Sequence, residues 1–438
     1  MDALTEWSAA ASAATRPTFL TEVRAAGALH GAEPVCVHRT PLLMPFAEER
    51  RWRTLVAQMH TLLKKLRRAL VADLHLGPQS LAARIGIPAD AIEWAAIDPG
   101  FPNVAPLSRL DAYVEAGVPR FLELNAESPA GMGYASALAP IFAADAAAAA
   151  FPHLRFLDPV PAVVATVQAL AAIWAKARRQ GPKDSLLAPR RRFSIAIVDL
   201  PGVATAPEFD LLAAAFRRAG HPTVVATPDT LSFEGDRLRA GDLAVDVVFR
   251  RLLVCDLRAR RSECAALLDA YRAGRVCMVN SLRTALLHNK AIFALLHDPS
   301  FPLSDRERRY VRRHVPFTAR VDDAARERVR RDPENWVLKP AEGHGGKGVV
   351  LGWAVSRREW EQAVDEAEGC IVQARVRPSH GPFFDARDGA VHSRVIDVGP
   401  FLARGRLAGF LCRVAEGELA NVSAGGASQV PVFSYGSA

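Results

Sequence analysis

Apolar residues recur at helical spacing between Glu48 and Leu76, with Trp52, Leu55, Met59, Leu62, Leu63, Leu66 and Leu70 on one face. That period predicts one long amphipathic helix and makes residues 1–98 a mostly helical region. Between 99 and 190 the period changes. Leu107 to Asn125 alternates as strands do, interrupted by Glu115-Ala-Gly117-Val-Pro119, the pattern of a hairpin. Ser128-Pro129 then reads as a helix start, with serine as the cap and proline first in the helix. The alanine-dominated run Ala135–Phe151 is broken by Pro140 and Asp145, which predicts a buried helical segment rather than a membrane span. A further amphipathic helix over 161–180 leads into the basic, Gly/Pro-containing stretch 178–192, a linker by composition.

Residues 191–280 read as a βαβ unit. The apolar run Phe193–Val198 ends in a turn at Asp199, a helix spans Pro207–Ala219 up to Gly220, and further strands fall at Thr223–Ala226 and Val245–Arg250. The first turn lacks G-x-G-x-x-G, so a dinucleotide site has weak support. In residues 281–438 the pattern predicts a helix over 284–297, a charged helical stretch at 305–313, and strands at 336–339, 348–353, 370–376, 394–398 and 408–414.

Composition narrows the class. The 438 residues suggest several domains, and 50% apolar with 23% charged residues describes a chain that buries real cores. The six cysteines (Cys36, Cys255, Cys264, Cys277, Cys370 and Cys412) contain no C-x-x-C pair, so neither a disulfide scaffold nor a zinc ribbon is indicated. A reducing cytoplasm is the expected compartment, and the N-terminus has no apolar core of a signal peptide. Cys36 and His38, two apart, read as packing rather than as a nucleophile and base. The formal charge of +8 admits a nucleic-acid partner, but aromatics are only 7% and no basic stripe interleaves with them. Of the 55 basic residues, seven are lysine, which leaves 48 arginines. Where arginine is so favoured, a retained lysine more often serves as a compact point charge. Lys290, Lys339 and Lys347 all fall in the C-terminal region.

The hairpin carries the first candidate chemistry. Residues two apart share a face, so Arg109 lies with Asp111 and Glu123 with Asn125. Closure symmetric about Gly117 sets Arg109 opposite Asn125 and Asp111 opposite Glu123, with Leu110, Leu122 and Leu124 toward the core. Facing carboxylates repel unless a cation lies between them. Oxygen donors from Asp, Glu and Asn suit Mg²⁺, which keeps some waters and borrows phosphate oxygens. A solvated face of mutually offsetting charges fits the same spacing. The helix start at Ser128 offers free N–H groups to a substrate carboxylate or phosphate.

The second candidate is Trp336-Val-Leu-Lys339-Pro340 followed by Glu342-Gly343-His344-Gly345-Gly346-Lys347-Gly348. A lysine ending a buried strand needs an anionic partner, and glycines let backbone N–H groups close around phosphate oxygens. It is not a Walker A loop, because position 341 is Ala and Gly follows Lys347. A nucleotide held between two sheets fits this order, as does a plain hairpin with a glycine turn. Lys290, on a largely apolar helix, either snorkels to solvent or reaches a phosphate. Gln373, in Gln373-Ala-Arg-Val376, reads as a hinge facing adenine. Arg413 and the loop Asn421–Gly426 add further polar signals.

Together these runs resemble the circularly permuted ATP-grasp ligases, especially the synthetase domain of glutathionylspermidine synthase and its uncharacterised relatives. The matching stretches are Arg109-x-Asp111, Phe121-Leu-Glu123-Leu-Asn125-Ala-Glu-Ser128-Pro129, Val247-Val-Phe-Arg250-Arg251, Asn280, Asn289-Lys290, Val337-Leu-Lys339-Pro-x-x-Gly-x-Gly-Gly, Gly399-Pro-Phe and Ala408-Gly-Phe-x-x-Arg413. The resemblance implies an α/β fold with α+β lobes: a permuted ATP-grasp core in which the metal ligands precede the ATP-clamping lysines, with a pre-ATP-grasp βαβ domain embedded at 191–280. It implies ATP and two Mg²⁺ as cofactors, with Asp111, Glu123 and Asn125 as metal ligands and Arg109 stabilising the transition state. Lys290, Lys339, Gly345, Gly346, Lys347 and Gln373 are then the ATP-binding positions, and Ser128 and Arg413 the substrate-binding ones. The implied reaction is carboxylate–amine ligation through an acyl phosphate, on small-molecule substrates of the amino acid, peptide or polyamine class, with neither nucleic acid nor membrane as partner. Ala130 stands where family members carry a substrate-holding side chain, so glutathione is not predicted. The alternatives are a non-catalytic ATP-binding scaffold and a nucleic-acid binder.

Overall fold

The computed structural model describes residues 2–102, 105–151, 153–178, 192–343, 345–417 and 427–436. Most of the 178–192 linker, His344 of the glycine turn and the Asn421–Gly426 loop lie outside the described residues.

Three sheets position everything that follows. A six-stranded sheet runs in the order Ala427–Val430, Arg406–Ala415, Ala390–Ala403, Leu107–Glu115, Val118–Asn125, with His380–Asp385 also paired to Ala390–Ala403. All its neighbours are antiparallel. A smaller antiparallel sheet orders Thr318–Arg320, Cys370–Ala374, Trp336–Pro340 and Val350–Leu351. A parallel sheet orders Cys277–Val279, Val247–Arg250, Ile195–Val198 and Thr223–Ala226. Cys277–Val279, Val247–Arg250 and Ile195–Val198 are buried on both faces, which explains their apolar runs, whereas Val225 of the edge strand is exposed.

The hairpin register is the one the sequence predicts, for a different reason. Arg109 faces Asn125 and Asp111 faces Glu123. The turn, however, is the two-residue Ala116-Gly117, with φ of 47° and 76°. Such a left-handed pair matches strand twist. Its centre falls half a residue before Gly117, and Ala112 faces Phe121, so a bulge at Leu122 restores the offset. Leu122 is therefore half-buried and lines the cleft, rather than joining Leu110 and Leu124 in the core.

The long N-terminal helix spans Phe46–Ala72 and backs the large sheet. Trp52 meets Phe121 and Phe410 edge-on, with ring centroids 6.1 and 6.0 Å apart. Just before it, Leu42–Pro45 pairs in parallel with Val432–Tyr435, joining the two ends of the described chain. The helix Pro159–Arg178 is long and apolar enough, by length and composition, to cross a membrane. Here Val163, Val167, Leu170 and Trp174 are buried in one cluster with Ile195, Phe209, Val247 and Phe401.

Two helices depart from expectation. The helix after the hairpin begins at Met132, behind Gly131 with φ 102°, and not at Ser128. The N–H groups of Gly131 and Gly133 donate to Glu208 Oε1 at 2.7 and 3.0 Å, so this helix end is already occupied. The predicted 284–297 helix breaks into Ala285–His288 and Ile292–His297. At the break the Lys290 N–H donates to the Ala341 carbonyl, and Asn289 Oδ1 accepts from the Ala291 N–H. Those bonds replace the helical ladder. Lys290 thus sits between two short helices.

Glu208, 0% exposed, also pairs with Arg251 at 3.3 Å. Removing one member of a buried pair strands the other charge. Glu208→Ala is expected to lower unfolding free energy by about 3–5 kcal/mol, read by urea denaturation.

Candidate active site

A cleft of about 760 Å³ opens between the large and small sheets and continues to the carboxyl ends of the parallel strands. Arg109, Asp111, Glu123, Asn125, Ser128, Lys290, Lys339, Gly345, Gly346, Lys347, Gln373 and Arg413 all line it. Every residue expected to bind metal, ATP or substrate or to act on the transition state is therefore brought to one cavity, although not each in the expected manner.

Asp111 is the centre of the hairpin face. Arg109 donates to it twice, Nε to Oδ1 at 2.6 Å and a terminal nitrogen to Oδ2 at 3.0 Å. Arg413 reaches Oδ2 at 2.8 Å and Asn125 Nδ2 does so at 3.1 Å. Burial alone would raise the Asp111 pKa, but Arg109 and Arg413 hold it well below the usual carboxylate range. Arg109 is fixed further by donating to the Ala130 carbonyl at 2.7 Å. Arg413 also bridges to Asp397, its direct cross-strand partner. Asp397 is 4% exposed, and its Oδ1 has no hydrogen-bond partner. Burial pushes its pKa up to about 7, against the pull of Arg413.

Across the cleft, Lys339 Nζ donates to Gln373 Oε1 at 2.7 Å. Gln373 is 1% exposed and donates from Nε2 to the Leu122 carbonyl and to Thr318 Oγ1, both at 3.1 Å. Its side chain orients Lys339 from behind. Burial lowers the Lys339 pKa to about 8, with Glu123 opposing that shift. Lys290 Nζ donates to the Gly343 carbonyl at 2.7 Å and lies 3.6 Å from Glu123 Oε2. Lys347, Gly345 and Gly346 are exposed at the mouth. Five cations (Arg109, Arg413, Lys290, Lys339, Lys347) face three carboxylates (Asp111, Glu123, Asp397), so this end of the cleft favours an anion.

The donors fit a hard divalent cation. Asp111 Oδ1 accepts one hydrogen bond, and Glu123, beside Asp111, accepts from Asn125 at 3.4 Å and lies 3.6 Å from Lys290, so lone pairs remain on both carboxylates. Among the described residues, no three His, Cys, Asp or Glu side chains converge on one point. Two carboxylates and an amide form the partial oxygen shell that suits Mg²⁺, which shares phosphate oxygens and keeps waters.

The sequence reading passed over Asp397, His288 and the residues His30 and Val35, all of which line the cleft. Asp397 left a usable signal, a charge within the apolar strand predicted at 394–398. The N-terminal residues left none, because their approach depends on tertiary packing.

Comparison with known proteins places this architecture. A glutathione synthetase-like effector from Globodera pallida superposes over 98% of this chain and 96% of its own, with TM-score 0.61 at 11% identity. The chain has a mixed α/β, circularly permuted ATP-grasp fold. Residues 225–423 match the model of the family described as circularly permuted ATP-grasp type 2. Uncharacterised proteins of Mycobacterium tuberculosis and Mycobacterium leprae are 29% identical over 217 and 225 residues, which is 44% and 45% of this chain. The match spans 38% of the length of each of these curated relatives.

Arg413→Ala leaves Asp111 facing Asp397 without their shared cation. The expected loss is about 3–5 kcal/mol of unfolding free energy, with part recovered by adding Asp397→Asn, in a double-mutant cycle followed by urea denaturation.

Proposed function

We propose that the chain is an ATP-dependent carboxylate–amine ligase. The observation that carries this reading is the oxygen-donor face of Asp111, Glu123 and Asn125 set across one cleft from Lys290, Lys339 and the glycine turn. Val337, Val349, Leu351, Trp353 and Val376 line an apolar slot at the small sheet, which suits adenine. The triphosphate then extends toward Lys339, Lys290 and Lys347, and the turn at 343–348 covers it and limits water. Asp111, Glu123 and Asn125 would hold Mg²⁺, two ions by family resemblance, which would supply charge neutralisation at the phosphates.

The substrate carboxylate oxygen attacks the γ-phosphorus. An O–P bond forms as the bond to the departing ADP oxygen breaks, leaving an acyl phosphate. Arg109, pinned by Asp111 and Ala130, and Arg413, pinned by Asp111 and Asp397, offset the developing charge with little reorganisation. The amine then attacks the acyl carbon, phosphate leaves, and the amine proton passes to phosphate or solvent. Gln373 acts here through Lys339 rather than at the adenine.

Asn125→Ala and Glu123→Gln are partly exposed substitutions that spare the Arg109–Asp111 pair. Each is expected to cut Mg²⁺-dependent ADP release by about 100-fold or more with an unchanged urea transition. The assay is an ADP-release screen over amino acids, short peptides and polyamines, and undiminished turnover sinks the assignment. Lys339 gives a second check. Its ammonium form binds phosphate, and its lowered pKa of about 8 means that protonation is lost as pH rises through that value. ATP affinity, measured by calorimetry, should weaken above pH 8 by up to about tenfold per pH unit. Lys339→Arg should flatten that profile, because guanidinium stays charged.

A further inference from the structure

Beyond the nucleotide-facing residues the cleft continues into a second chamber, lined by His30, Tyr134, Asp199, Thr205, Arg251 and Asp256. Its floor is the carboxyl end of the parallel sheet. The chain passes from Ile195–Val198 to Thr223–Ala226 on one side, then places Val247–Arg250 on the other. Such a reversal of strand order leaves a crevice where open parallel sheets receive ligands. Val198 and Arg250 are register partners, so the next residues, Asp199 and Arg251, emerge side by side at the crevice.

The charges here are unequally matched. Arg250 pairs with Glu127 at 2.8 Å and Arg251 with Glu208 at 3.3 Å. Asp199 accepts only the Leu200 N–H, at 2.8 Å, and Asp256 only the Leu253 N–H, at 2.8 Å. Neither makes an ion pair among the described residues, which leaves two carboxylates uncompensated. This end of the cleft therefore has the opposite sign to the nucleotide end. Burial raises the Asp199 pKa to about 6 and Asp256 adds to the rise, while the Leu200 N–H and the nearby Arg251 and Arg250 guanidiniums only partly oppose it. A second observation points to a ligand. Arg251 is 5% exposed and stacks near Phe209 and Phe249, yet its Nε–H has no acceptor. A desolvated donor without an acceptor is costly unless something supplies one.

We infer that this chamber is the subsite of the acceptor amine, with Asp199 receiving its ammonium group and Arg251 facing an oxygen adjacent to it, as in an α-amino acid or its amide. The inference rests on the ligase reading only for the name acceptor. The N-terminal region contributes His30 and Val35 to the wall of the cleft. The Gly31 N–H donates to the Ala204 carbonyl at 2.6 Å, so the segment carrying His30 leans on the turn that follows Asp199. Residues 1–98 thereby acquire a part in selecting substrate.

The test is calorimetric titration of the full chain, loaded with ATP and Mg²⁺, by alaninamide and by propionamide, which lacks the amine. Wild type should bind alaninamide at least tenfold more tightly than propionamide. Asp199→Asn should erase that preference while ATP affinity and the urea transition stay unchanged, and Asp199→Ser serves as a second variant should Asn perturb folding. Equal binding of the two amides, no binding of alaninamide, or a preference that survives both substitutions overturns the subsite. Asp199-dependent binding without ADP release on any substrate would instead remove the ligase reading alone.

Discussion

Everything in the cleft depends on a guanidinium that has no contact with water. Arg250, 1% exposed, uses all five of its N–H groups: Nε to the Asn280 carbonyl, one terminal nitrogen to Glu127 and the Leu252 carbonyl, the other to the Ser281 carbonyl and Thr284 Oγ1. Glu127 answers by accepting the Val254 N–H at 2.7 Å as well. Asn280 Nδ2 completes the joint by donating to the carbonyls of Leu107, Ala126 and Glu127. Both outer ends of the carboxylate hairpin are thereby fastened to the parallel sheet. Glu127 lies two residues beyond Asn125, so the same bonds that neutralise Arg250 fix where the oxygen donors stand. A buried pair of this kind adds little net stability over an apolar isostere, but breaking it exposes a lone charge to low dielectric. Its value lies in setting one geometry between two lobes.

That geometry lets the site keep its charges in place before any ligand arrives. Asp111 holds two arginines, each of which is held again at its far side, by the Ala130 carbonyl or by Asp397. The neighbouring strand must give room for this stack. A Cβ at Gly399 would stand 3.0 Å from Arg109 Cδ and 3.3 Å from Asp111 Oδ1, so a side chain there would press the arginine out of its place across the strand. Cations fixed in this way need little reorganisation to meet negative charge in the cleft.

Much of this was legible along the chain, and the failures are instructive. Pairing of Asp111 with Glu123 follows from spacing, because a period of two admits few registers. The bulge at Leu122 does not, since the turn offset and the bulge cancel in the arithmetic. The double arginine at 250–251 marks itself by following an apolar strand. Its partners do not: Glu208 lies in the first turn of a helix, where an acidic residue is ordinary. Yet that carboxylate occupies the very helix end for which Ser128 and Pro129 make a persuasive local start. Tertiary satisfaction of Gly131 and Gly133 outweighed a local cap. Lys290 tells the same story. Apolar neighbours imply an unbroken helix, but a backbone bond to Ala341 from a distant segment ends it.

The glycine turn is tied at its root to two other parts of the chain. Gly345, Gly346 and Gly348 have φ near 70°, a conformation that side chains resist, so the turn can stand open at its tip. Its root is anything but free. Arg258 joins Glu342 at 3.1 Å to Asp90 at 2.7 Å, which ties the turn to the N-terminal region. Lys290 holds the Gly343 carbonyl while facing Glu123. One ammonium therefore touches the root of the turn and the oxygen-donor face at once. With three N–H donors set in different directions, this ammonium can keep the Gly343 carbonyl while donating to an anion in the cleft. The oxygen-donor face and the root of the turn are thus held together through that single side chain, while Arg258 fixes the same root to the N-terminal region.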